Sequence, residues 1–275
     1  MAAILALLSS FAWGTADFLG GILSKKRNAV AVIGGSQPFG LIAISIVALL
    51  SGQFWFSREV VTYGVIAGLI GMVALMAYYQ ALATGQMGIV APIGSLGVLV
   101  PLTYGYLNGE EPTVIQNVGI AIAIIGVVLA SGPEFRGDAA IKPVVLAFIS
   151  AAMFGFTVLF MARGGELNPA GTVVMMRVAQ VSVMVSIALL LRTFGGLEKQ
   201  DVPILALTGS LDALANVLFT TAAGLGLIAI VSVLGSLFPV ATALLAWWFL
   251  KERLLPIQYV GIFVTMAGVA AITSG

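Results

Sequence analysis

The sequence predicts an all-α polytopic membrane protein, with ten transmembrane helices forming two inverted five-helix repeats around a central cavity. Three observations lead there. First, 60% of the 275 residues are hydrophobic and only 8% are charged, with a mean hydropathy of +1.13; a soluble domain carries about 25% charged residues. So little polar surface cannot cover a water-facing globule. Second, apolar stretches of about 20 residues, the length a helix needs to cross the hydrocarbon core, follow one another along the whole chain. Third, residues 82–132 and 223–275 are two versions of one text.

Taken in order, the first span covers about 2–23 and ends at Lys25-Lys26-Arg27. It lacks a basic leader and a small-residue cleavage site, so it reads as a retained helix rather than a signal peptide. The second covers about 29–51 and carries Gln37-Pro38, where proline removes a backbone donor and frees a carbonyl. The third, about 60–83, presents Gly64, Gly68 and Gly71 on one face, which permits close helix packing. The fourth, about 87–107, is interrupted by Pro92 and Pro101, and the fifth covers about 113–131. The longest polar segment, 132–140 (GPEFRGDAA), separates the halves. Spans six to ten follow at about 142–162, 169–191, 202–223, 227–249 and 255–273, with Pro239 interrupting the ninth. The domain organisation is a first repeat at 1–132, a linker at 133–141 and a second repeat at 142–275.

The repeat is specific. Gly94-Ser95-Leu96 recurs as Gly235-Ser236-Leu237 at an offset of 141 residues. Glu110, Ile115-Gln116 and Val118-Gly119 recur as Glu252, Ile257-Gln258 and Val260-Gly261 at 142. Trp13-Gly14 aligns more weakly with Phe154-Gly155 at the first offset. Five is an odd number of crossings, so the second repeat enters the membrane from the opposite side. Such inverted duplications place a binding site near the midplane between the halves, where discontinuous helices point to it. The alternative is a duplicated structural bundle with no transport role.

Several chemistries are excluded. The chain has no cysteine and no histidine, so disulfides, thiolate metal sites and imidazole chemistry are absent. Proton coupling, if present, falls to a carboxylate with a raised pKa. No GxxxxGK[ST] loop, metal-ligand cluster, filter-like repeated loop or extramembrane domain appears, so neither an enzyme nor a channel is expected, and no cofactor. The net charge of +1 with no basic cluster gives no reason to expect nucleic acid. The expected partners are a small-molecule substrate and the lipid bilayer. Ten helices suffice to enclose a pathway in one chain, and a homodimer stays open.

Three ionisable residues fall inside spans: Asp17, Arg177 and Asp212. Each costs roughly 2.5–3.5 kcal/mol at a helix centre on insertion scales and is a functional candidate for that reason. The plainer reading is a salt bridge that pins helices together. Asn216 and Thr220 extend the face of Asp212 at successive turns. Trp13 stands one turn before Asp17, an aromatic beside a carboxylate that suits an ammonium group, or else a packing aromatic. At the first offset the partner repeat has Val158 for Asp17 and Gly71 for Asp212. The scaffold is duplicated and the charges are not, which suits one oriented polar substrate. Gln37 and Tyr79 complete the expected substrate-binding set of Trp13, Asp17, Gln37, Tyr79, Arg177, Asp212 and Asn216. Glu110 and Glu252 are expected to cap the helix that follows each.

These residues together resemble the EamA-type transporters of the drug/metabolite transporter superfamily. The resemblance rests on Trp13-Gly14, on Tyr79-Gln80-Ala81-Leu82 ending the third span, and on Gly109-Glu110 and Lys251-Glu252-Arg253. It rests also on Gln116-Asn117-Val118-Gly119 and Gln258-Tyr259-Val260-Gly261, and covers nearly the whole chain. Residues 13–21 (WGTADFLGG) and 210–219 (SLDALANVLF) look like a bacterial subgroup. The resemblance implies secondary transport of small metabolites around a central cavity, with amino-acid export a common activity. The expectation is therefore an exporter of a small polar metabolite in the cell (inner) membrane, with a cationic-drug exporter or a membrane scaffold as alternatives. On orientation the two readings diverge: the loop lysines and arginines put both termini outside, whereas many relatives are described with cytoplasmic termini.

Overall fold

The computed structural model describes residues 1–85, 90, 93–130, 141–192, 195–250 and 255–274. Pro92, Glu252 and almost all of the linker lie outside them. The described residues form helices and no strand. These are α1 (Ala2–Ser24), α2 (Ala29–Leu50), α3 (Arg58–Thr84), α4 (Leu99–Leu107), α5 (Val114–Ala130) and α6 (Ile141–Gly165). They continue as α7 (Pro169–Leu191), α8 (Val202–Ala223), α9 (Ile228–Gly235), α10 (Phe238–Leu250) and α11 (Pro256–Ser274). Among the described residues, eight helical segments are long and apolar enough to cross a membrane, α9 and α10 counting as one; Ile93–Leu107 and Val114–Leu129 are shorter. Large apolar side chains such as Leu8, Ile46, Leu189 and Phe263 stay exposed on outward faces, as a lipid-facing surface requires.

Local chemistry sets the helix starts. Asn28 Oδ1 accepts from the Val30 N–H at 2.9 Å, and Asn168 Oδ1 from the Gly171 N–H at 2.9 Å. Pro169 and Pro256 occupy first helical positions, where a missing N–H costs nothing. Thr113 and Gln116 cap α5 reciprocally: the Gln116 N–H donates to Thr113 Oγ1 at 3.2 Å and the Thr113 N–H to Gln116 Oε1 at 2.9 Å. Gln258 repeats half of that box, accepting from the Leu255 N–H at 2.7 Å.

Two expectations change here. Glu110 does not cap the next helix, because Thr113 and Gln116 already do. Its carboxylate instead accepts from the N–H groups of Ile228 and Ala229, at 2.6 and 2.8 Å, capping α9 across the molecule. Pro101 and Pro239 do not mark the helix breaks either. The fourth span tightens into a 3₁₀ turn at Leu96–Val98, and the ninth breaks between Gly235 and Phe238. Pro101 and Pro239 sit in the first turn of the helices that resume, where proline is tolerated.

The most extensive helix contacts all join the first half to the second: α5 with α11, α3 with α6, α1 with α8, α2 with α8, and α3 with α7. The halves thus interleave, and any central space is bounded by both. Close approach is permitted by glycine. A Cβ on Gly40 would lie 2.7 Å from the Gly209 carbonyl oxygen, so α2 and α8 touch backbone to backbone.

Candidate functional site

A cavity lies where the middles of α1, α3, α6, α7 and α8 meet the two broken helices. Both copies of the repeated Gly-Ser-Leu tripeptide are at the breaks, and Gly94, Ser95, Gly235 and Ser236 line the wall. The aligned pairs Trp13-Gly14 and Phe154-Gly155 have equivalent places. Trp13 and Phe154 line the cavity. A Cβ on Gly14 would lie 2.5 Å from the Phe238 carbonyl oxygen, and one on Gly155 2.5 Å from that of Gly97. Phe238 and Gly97 are themselves 141 residues apart. Each glycine therefore lets a continuous helix press against the backbone of a broken one. The cavity volume is about 90 Å³ counted at water centres. At roughly 10–15 Å³ per water on that measure, it suits a small solute.

Charge enters through Arg177, which is 0% exposed. Its Nη2 pairs with Asp212 Oδ2 at 2.8 Å. Its Nη1 donates to Gln180 Oε1 at 2.9 Å and to Gln37 Oε1. Asp212 in turn accepts from Asn216 Nδ2 at 3.2 Å through Oδ1 and at 2.6 Å through its backbone oxygen. One guanidinium thus ties α7 to α8 and, through Gln37, to α2 of the other half. The arginine Nε is buried without a hydrogen bond among the described residues, as is the Ser232 hydroxyl on the cavity wall.

Of the seven residues singled out from the sequence, Trp13, Asp17, Arg177, Asp212 and Asn216 line the cavity. Gln37 stands behind Arg177 and is 3% exposed. Tyr79 packs over Gly20, where an added Cβ would meet its ring at 2.7 Å, and against Tyr78; it does not line the space. Thr220 donates to the Asn216 carbonyl oxygen at 2.9 Å and faces away from the cavity. Gln180, Thr157 and Ser232 line the wall and were missed. Gln180 had a signal, an amide one turn after an intramembrane arginine. Gly71, read as a packing residue, also lines the cavity, where a Cβ would come within 3.2 Å of the Gln180 amide. Among the described residues no cluster of acidic side chains could hold a metal ion.

Comparisons with known proteins give the family and the fold. A model described as the EamA-like transporter family matches residues 1–132 and 141–274. An uncharacterized protein of Methanocaldococcus jannaschii is 26% identical over 131 residues, which are 47% of this chain and 96% of that protein. A solved crystal structure superimposes with a TM-score of 0.80 at 16% identity, covering 99% of this chain and 96% of its own, and so shares the fold.

Proposed function

The chain belongs to the EamA-like transporter family, and from that premise we propose that it is a secondary exporter of a small polar metabolite, an amino acid or similar compound, working by alternating access in the cell (inner) membrane. It is a multi-pass membrane transporter by family and by its apolar helices; substrate, direction and mechanism are our reading. In that reading Ile93–Leu107 and Val114–Leu129 complete ten crossings, and residues 1–132 and 142–275 are inverted repeats. The matched tripeptides at the helix breaks support this, as do the equivalent contacts of Gly14 and Gly155. The packing does too, since α1 against α8 has its counterpart in α6 against α3. So does a relative that is half the length of this chain. We assign no catalytic activity, no cofactor and no nucleic-acid partner, and a single chain suffices for the pathway.

The observation that carries the proposal is the position of Arg177. Its guanidinium lies buried beside a cavity between the halves and bonds to both of them. A substrate carboxylate competes with Asp212 and Gln37 for that group, and an ammonium competes for Asp212. Either event exchanges cross-half contacts for substrate contacts, the differential interaction a conformational shift requires. Pro38, next to Gln37, leaves one α2 carbonyl without its partner and is a point where that helix can bend. The small volume argues against bulky cationic drugs.

The test is counterflow in proteoliposomes with labelled amino acids, sugar phosphates, nucleotide sugars and cationic dyes. Exchange of one class, reduced about tenfold or more in Arg177→Gln and Asp212→Asn, is the expected result. Wild-type exchange that both variants retain removes the site. No exchange of any class removes the transport reading.

A further inference from the structure

The cavity wall carries three charged side chains among the described residues, Asp17, Arg177 and Asp212. Arg177 and Asp212 answer one another at 2.8 Å. Asp17 makes neither a hydrogen bond nor an ion pair among the described residues, although it faces the same small space. Asp17 is therefore the ionisable side chain of the described wall that has no partner of opposite charge. Most of the remaining lining is apolar, including Leu75, Val98, Phe154 and Phe219. Few waters fit there, so an ion pair formed with Asp17 is screened far less than at a protein surface.

The surroundings of Asp17 specify what answers the charge. Trp13 stands one helical turn before it and lines the same wall, so a cation held by the carboxylate lies beside an indole ring, the strongest side-chain partner for a cation face-on. Across the cavity, the position equivalent to Asp17 is Val158, which also lines the wall. The pocket is thus polarised, with charge on the α1 side and hydrocarbon on the α6 side.

We propose that the cavity selects small ammonium-bearing metabolites of net charge +1, the chemical type of a decarboxylated or a basic amino acid, with the ammonium on Asp17 against Trp13. This rests on the transporter reading above and narrows its substrate class. A neutral zwitterion brings, with its ammonium, a carboxylate for which the described wall offers no unpaired cation. An acid meets an arginine already paired.

The experiment uses three probes that share a 3-methylbutyl group: 3-methylbutylamine, leucine and 4-methylpentanoate, of charge +1, 0 and −1 at neutral pH. Binding to the full chain in detergent is followed by tryptophan fluorescence and thermal shift, and uptake is measured separately in proteoliposomes. The amine is expected to bind at least about tenfold more tightly than leucine, a difference of about 1.4 kcal/mol, with the acid weakest. Asp17→Asn removes the advantage and Asp17→Glu keeps it. Leucine or the acid binding as well as the amine overturns the proposal, as does an advantage that survives in Asp17→Asn, or no binding of any probe at millimolar concentration. The wild-type order needs no variant to fold. Uptake of all three with the acid favoured overturns this inference and leaves transport intact; binding of the amine without uptake does the reverse.

Discussion

Replacing Asp212 by leucine strands the Arg177 guanidinium in the core of the bundle. The arginine side chain is 1% exposed and the aspartate 17%, so the variant leaves the more deeply buried partner uncompensated. An intramembrane arginine costs roughly 2.5–3.5 kcal/mol on insertion scales, and removing one member of a buried pair costs roughly 3–5 kcal/mol. Gln37 and Gln180 still accept from Nη1, which places Asp212→Leu near the lower end, about 3 kcal/mol. Arg177→Met is milder, because Asp212 keeps its cavity exposure and the amide of Asn216. The double variant returns toward wild type, since buried pairs replaced by apolar residues are often neutral. The chain has four tryptophans and no cysteine, so unfolding in detergent is best followed by intrinsic fluorescence. At about 2–4 °C per kcal/mol for chains of roughly this size, Asp212→Leu melts about 6–12 °C below wild type. A double variant that loses the sum of the two single losses would refute the reasoning, because the charges would then not be answering one another.

Two further outcomes are expected. Gly155→Ala puts a Cβ 2.5 Å from the Gly97 carbonyl oxygen and should destabilise by about 1–3 kcal/mol, as overpacking does, while Gly224→Ala, with nothing nearer than 3.5 Å, melts as wild type does; equal melting of the two shows that the helices separate freely. At the ion pairs of Arg27 with Glu198 and Asp201, 2.7 and 2.9 Å long, the hydrogen bond from Arg27 holds the Glu198 carboxylate below its ordinary range. A lowered folded pKa contributes stability above the unfolded value and loses it as pH falls through the folded one. The melting difference between wild type and Glu198→Gln should thus persist from neutral pH down into the ordinary carboxylate range, vanish only below it, and shrink with added salt; its disappearance at mildly acidic pH contradicts the pairing.

What was legible in the sequence follows from what the bilayer penalises. A charge in a hydrocarbon-spanning helix is expensive, so Asp17, Arg177 and Asp212 stood out one by one, and all three line the cavity. Span positions were legible for the same reason: the third was expected at about 60–83 and runs Arg58–Thr84. Contacts between the halves leave no such local trace. Nothing near Glu110 in sequence says that its carboxylate reaches Ile228 and Ala229; the nearer helix start was the natural guess until Thr113 and Gln116 proved to occupy it. Proline misled because its cost depends on position within a helix, and periodicity alone does not say which turn is the first. The repeated Gly-Ser-Leu tripeptide was the better sign of the breaks. Its glycine and serine line the cavity wall at both breaks. Duplicated positions thus record the backbone geometry both halves share. The unduplicated ones, Asp17 over Val158 and Asp212 over Gly71, put charge at cavity positions whose counterparts carry none.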